Sequence, residues 1–308
     1  MIAVAVLMTS CSADEPDPVV ITVDVTTEQG TNPSDTTSTN PSDTTSTNPS
    51  DTTGTTTGET TTHTTISVSV KYLGALRGTG NFQGTTCIGD TIWQFFHGGS
   101  YSLYRLSDLS LITSGQADLA GNGTPHCWIA NHYITEYNDT IVMFAAISGC
   151  RYFVYKKHGT QLEFLKVFSH YPEGQKYPSY FVTPDGSTLY AQGWGSGTLL
   201  IYEYPVFDDL LSEFGDAKNM FTVPSYIETI QDVFLYDNTL YISYGTTSTS
   251  DLGYERIDLI THTAVNVSLR PAITAEPEGF FEHDGIFYMV VAGGGVYRIE
   301  ETVQQTTK

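Results

Sequence analysis

Seven residues with usable chemistry recur at corresponding points of a repeated pattern in this chain of 308 residues: Gln83, His126, Tyr180, Gln231, Asp232, Glu276 and Glu278. Carboxylates in such a set can serve as general acid and base. Amides and a tyrosine hydroxyl can hydrogen-bond a polyhydroxylated ligand. An imidazole beside a carboxylate can ligate a cation or hold a sugar. His126 follows Gly123-Thr124-Pro125, a turn expected to hold it at a rim, where Glu276 or Glu278 could join it around a cation. The plainer use of each residue is to satisfy backbone groups of a tight channel.

Five phrases must position these residues: DTIWQFF from Asp90, DTIVMFA from Asp139, GSTLYAQ from Gly186, DNTLYIS from Asp237 and DGIFYMV from Asp284, spaced 47 to 51 residues apart. Each is a polar turn followed by an aromatic-rich strand. Alternation in LYISY and YERIDL has the period of two of half-buried strands. Asp-Asn and Asp-Gly supply the positive φ that tight hairpins need. A strand-filled repeat of this length predicts a radial all-β array, a five-bladed β-propeller over residues 66–308. The fifth period is one strand short, whereas residues 65–73 (TISVSVKYL) form an alternating strand with no period of their own. That strand is expected to complete the last blade, with Val68 and Val70 beside Val296–Ile299, because closure removes unpaired edges. The seven residues above then fall at the entries of the first strands, around one mouth of the central channel. Residues 208–218 are the one stretch with helical character.

Charge narrows the partners. Asp and Glu number 34 against 13 Lys and Arg, a balance that excludes nucleic acid and adsorption to anionic lipid. Residues 1–11 are apolar and end in Met8-Thr9-Ser10-Cys11, too short to span a bilayer. They resemble a bacterial lipoprotein signal, which implies lipid on Cys11; the following Ser12-Ala13-Asp14-Glu15 resembles a surface-export tag. Residues 12–65 are rich in Thr, Ser, Asn, Pro and Asp and repeat TNPSDTTS. They read as a disordered stalk with a reach of roughly 40 Å. Thr36, Thr44 and Thr52 lie in Asp-Thr-x triplets that resemble O-glycosylation sites. The expectation is a monomeric, surface-exposed outer-membrane lipoprotein, touching the membrane through lipid alone. Cys87 and Cys127 sit on apolar strands and read as core residues; with Cys150 they allow at most one disulfide. No Cys/His spacing suggests zinc, and neither metal nor cofactor is expected.

Phrases at the strand entries, QGTTCIGDTIWQF from Gln83, IQDVFLYDNTLYISYG from Ile230 and EPEGFFEHDGIFYMV from Glu276, resemble the five-bladed propellers of the helveticin J, TagC-like and phage receptor-binding platform group. PHCW from Pro125 is similar to a His-containing entry in bacterial members. The resemblance implies a cell-envelope propeller that recognises surface polymers, without a catalytic set to carry over. A glycan or envelope polymer is therefore the expected ligand, and Tyr133, Tyr171 and Trp194 are the loop aromatics expected to stack on it. A glycoside hydrolase or lyase using Glu276, Glu278 and Asp232 is the alternative. Against it, Gln83 and Ser179 stand where further acids are needed, the arginines are scattered, and no other catalytic motif is present. A protein–protein scaffold is the third reading.

Overall fold

A computed structural model describes residues 5–7, 19–28, 61–78, 80–135, 137–146, 151–169, 179–182, 188–195, 198–205, 219–225, 227 and 229–307. Among them the regular elements are all strands. In chain order they begin with β1 (Ala5–Leu7), β2 (Val19–Glu28) and β3 (Thr61–Ala75). Next come β4 (Phe82–Ile88), β5 (Thr91–Phe96), β6 (Ser100–Arg105) and β7 (Leu111–Gln116), then β8 (Cys127–Ile134), β9 (Thr140–Ala146), β10 (Arg151–His158) and β11 (Gln161–Ser169). They continue with β12 (Ser179–Val182), β13 (Thr188–Gly195), β14 (Thr198–Pro205) and β15 (Asn219–Pro224), then β16 (Ile230–Tyr236), β17 (Thr239–Tyr244), β18 (Gly253–Asp258) and β19 (Thr263–Ser268). The chain closes with β20 (Pro277–His283), β21 (Ile286–Val291) and β22 (Gly295–Thr307).

Each run of four from β4 to β19 is an antiparallel up-and-down sheet, and a further sheet has the order β1-β2-β3-β22-β21-β20. The first strands meet side by side: β4 lies against β8 and β20, β8 against β12, β12 against β16, and β16 against β20. Sheets arrayed radially about their first strands make a β-propeller. Four sheets have the plain four-strand make-up of a blade, where five were expected; the remaining sheet has six strands drawn from both ends of the chain.

The turns follow the sequence. Asp237 and Asn238, with φ of 44° and 58°, close β16 onto β17, and Asp284 and Gly285, at 52° and 76°, close β20 onto β21. The hydrophobic core lies between neighbouring sheets. Phe95 meets Phe144, which stacks on Phe153 and Tyr155. Phe234 packs on Phe280 and Phe287 across another interface. Each such ring contributes about 1.5–3 kcal/mol by burial.

Both ends of the chain meet in the six-stranded sheet. Val70 of β3 pairs with Ile299 of β22, as expected of the closing strand, while Val68 pairs with Glu301, just beyond the expected stretch. The stalk reading needs correction. Residues 19–28, inside the stretch read as disordered, form β2 on the outer side of β3, with Ile21 opposite Val68 and Val23 opposite Ile66. All four side chains are buried. From Ile21 to Val25 (ITVDV) apolar β-branched residues alternate with polar ones, and that pattern, not the Thr-rich composition around it, decides the local structure.

Cys87 and Cys127 are buried free thiols, as read from their strands. Cys11, Cys150, Thr36, Thr44, Thr52 and residues 208–218 lie outside the described residues.

Candidate binding site at the channel mouth

Four first strands share a local irregularity. Pairing to the second strand slips between Phe82 and Thr85, Cys127 and Ala130, Ile230 and Asp232, and Pro277 and Gly279. A bulge bends its strand and re-aims the side chain it carries. Gln83, Gln231 and Glu278 each occupy such a bulge, on three different strands. The strands crowd together at this level. A Cβ on Gly279 would lie 2.1 Å from Thr85 Oγ1, and one on Gly84 would lie 2.6 Å from the Ala130 backbone nitrogen. Only glycine permits that approach.

Gln83 and Glu278 pair with each other, and Gln231 pairs with Glu276 just before β20. Gln83 Nε2 donates to Glu278 Oε2 at 3.3 Å. Gln231 Nε2 donates to Glu276 Oε1 at 2.7 Å and to the Gly245 carbonyl at 3.0 Å. Gln83 and Gln231 are each only 8% exposed. Burial, and then the neighbouring Glu276, pushes the Glu278 carboxyl up to about 8. It is therefore chiefly protonated at neutral pH, able to donate as well as accept.

Asp232 behaves differently. It is fully buried. One oxygen accepts the Val233 amide at 2.8 Å, the other the Phe280 amide at 2.9 Å, and the Thr85 amide also donates to it. Burial pushes its carboxyl well above the usual range, and the three amides pull the other way. This carboxylate ties β16, β20 and β4 together at the axis.

The remaining expected residues are scattered. His126 is half-buried, with its ring centroid 5.2 Å from that of His97. Burial and then the second imidazole lower its pKa. Among the described residues no group of three or more His, Cys, Asp or Glu is placed to hold a metal ion. Tyr180 lies on β12 opposite Ala191, and its side chain is outside the described residues. Tyr133, expected in a loop, is instead a buried residue of β8, because the strand runs on through Ile134. Trp194 lies on β13 and not in a loop, and Tyr171 is outside the described residues.

Sequence reasoning missed Gln94. Wholly buried, it donates from Nε2 to the Gln83 carbonyl at 2.6 Å and accepts from Thr85 Oγ1 at 2.7 Å, propping the first bulge from behind. A signal was present: the other phrases have Met143, Tyr190, Tyr241 and Tyr288 at the same place. A glutamine there breaks the apolar pattern.

No family model and no curated protein matches the sequence. Solved structures are similar in fold. An exo-β-1,3-galactanase from Phanerochaete chrysosporium superposes with a TM-score of 0.51 at 11% identity, over 74% of this chain and 64% of that one. Glutaminyl cyclase from Myxococcus xanthus gives 0.48 at 13% identity, over 78% and 97%. The β-propeller domain of Cps50 (Swd1) from Myceliophteria thermophila gives 0.42 at 10% identity, over 76% and 91%. At these identities the likeness concerns the fold alone.

Proposed function

We propose that this chain is a cell-surface binding module whose channel mouth recognises a glycan or envelope polymer. In this reading the six-stranded sheet acts as the fifth blade, lipid on Cys11 anchors the chain in the outer membrane, and sugars on Thr36, Thr44 and Thr52 decorate the segment between. The observation that carries the reading is the array Gln83–Glu278 and Gln231–Glu276. Two amides and a protonated acid offer both donors and acceptors to a neutral, hydroxyl-rich ligand, with little charge to desolvate.

One observation favours the hydrolase reading: an acid held near pKa 8 beside a second carboxyl has the make-up of a general acid. Asp232 is a poor third member of that set, since its oxygens are committed to backbone amides. A glycan array run beside a hydrolysis screen separates the readings. A binding module keeps its captured glycan in Glu278→Gln, loses it in Glu278→Ala and releases no product. A hydrolase turns the glycan over, and Glu278→Gln abolishes turnover. Silence in both assays leaves a protein–protein scaffold. Incorporation of a labelled fatty acid, lost in Cys11→Ser, tests the anchor.

A further inference from the structure

The first strands that build one mouth also close around a hollow of about 230 Å³ toward their other ends. Glu282 is its only carboxylate among the described residues, and Ile134, Phe234, Leu235 and Phe281 give it apolar walls. We propose that this hollow is a second binding site, selective for a quaternary ammonium group of the size of choline.

Glu282 supplies the charge. Its Oε1 accepts the Gly285 amide at 2.5 Å, across the tight turn from β20 to β21. Among the described residues it makes no ion pair, so its counter-ion is left to a ligand. The surrounding potential is negative as well. The Cys87 thiol, also at the lining, is pushed up by burial first and then by the charges of Asp90, Glu282 and Asp284. Asp90 and Asp284 share His283, at 3.3 Å and 3.4 Å, which leaves Glu282 as the unpaired member of the three. Against these acids stands Lys157, whose charge reaches His132. His132 itself is uncharged at neutral pH, because burial and then Lys157 lower its pKa to about 4. At longer range, 34 acids against 13 bases draw cations toward the chain.

The walls decide which cation. A primary ammonium is strongly hydrated and needs an acceptor for each of its N–H groups. A trimethylammonium head has no N–H and presents methyl groups, which gain by burial against Ile134 and Leu235. The two phenylalanines add attraction for such a cation. Glu282 repels an anion, and a neutral ligand of the same shape gains nothing from the carboxylate. The volume holds one head group of this kind and not a polymer.

Isothermal titration of the full chain with choline tests the proposal, with 3,3-dimethylbutan-1-ol as the uncharged isostere and ethanolamine as the primary amine. Choline should bind about tenfold more tightly than either. Glu282→Gln keeps an oxygen for the Gly285 amide and removes only the charge. It should weaken choline about tenfold while leaving the alcohol's affinity and the melting temperature unchanged. Ile134→Arg, at a rim position 55% exposed, sets a positive charge beside the hollow and should abolish choline binding. Co-flotation with phosphatidylcholine vesicles assigns the head group to a lipid; choline binding without co-flotation assigns it to a free ligand. The proposal is overturned if choline does not bind, if the alcohol binds as tightly, or if Glu282→Gln leaves choline affinity untouched. Glycan capture at the first mouth fails through Gln83 or Glu278, whereas choline binding fails through Glu282 or Ile134, so the two readings stand or fall separately.

Discussion

The Asp232 carboxylate accepts the backbone N–H of Phe280 at 2.9 Å, across 48 residues of chain. That bond joins the first strand of one sheet to the first strand of the next. With the amides of Val233 and Thr85 on the same carboxylate, it makes one buried side chain the junction of three strands. Asp232→Ala leaves those amides without their acceptor at about 1–3 kcal/mol each. Denaturant titration should show one of the largest losses of any single substitution in the chain. A change under about 1 kcal/mol would mean that the junction is dispensable.

Gly279 makes a second prediction at the same level. A Cβ there meets Thr85 Oγ1 at 2.1 Å and Thr85 Cβ at 2.3 Å. Gly279→Ala must push β20 away from β4, which costs about 1–3 kcal/mol. It should also spoil the Gln83–Glu278 pairing, so thermal melting and glycan capture fall together. Unaltered melting would show that the two strands are free to separate.

Glu278 predicts a pH dependence of stability. Its folded pKa, about 8, lies above the ordinary 4.5. Between those values the folded state holds a proton that the unfolded chain has lost, so stability declines as pH rises. The contribution is complete below about 4.5 and gone once pH has passed through about 8. Melting temperature followed across this window should fall in the wild type and fall less in Glu278→Gln. Parallel curves for the two proteins would count against a buried, protonated Glu278.

Ile21 tests whether β2 belongs to the folded domain. Its side chain is 1% exposed, opposite Val68. Ile21→Ala should cost about 2–4 kcal/mol by loss of transfer energy and cavity formation. A stalk without structure in this segment predicts no measurable change in denaturant midpoint.

The thiols give a simple check on packing. Burial holds Cys87 and Cys127 at about 12, far above the ordinary 9.0, so the reactive thiolate is scarce. Iodoacetamide should label neither residue at neutral pH until the protein unfolds, as peptide mapping would read. Fast labelling of either one in the native state would contradict the core assignment.

Much of the architecture was legible because it rests on local chemistry. Asp237-Asn238 and Asp284-Gly285 write hairpins whatever surrounds them, and the alternation in residues 65–73 named a strand in need of a partner. β2 stayed hidden because a composition dominated by Thr masked the five alternating residues from Ile21 to Val25. That strand and β1 are also why the last sheet has six strands where a four-strand blade was expected. The candidate site was legible only in part. Gln83, Gln231 and Glu278 could be placed near one mouth, but the bulges that aim them depend on pairing register, which one strand alone does not reveal. His126 meets His97, 29 positions earlier, instead of a carboxylate, because that contact is set by two turns side by side. Tyr133 looked like a loop residue because the length of β8 is decided by its partner β9.

A crystal soaked with the glycan captured on the array tests the central claim most directly. The account predicts ligand density within hydrogen-bonding distance of Gln83 and Glu278, at the bulged ends of β4 and β20. Density on the outer faces of the sheets, with the Gln83–Glu278 and Gln231–Glu276 pairs untouched, would contradict it.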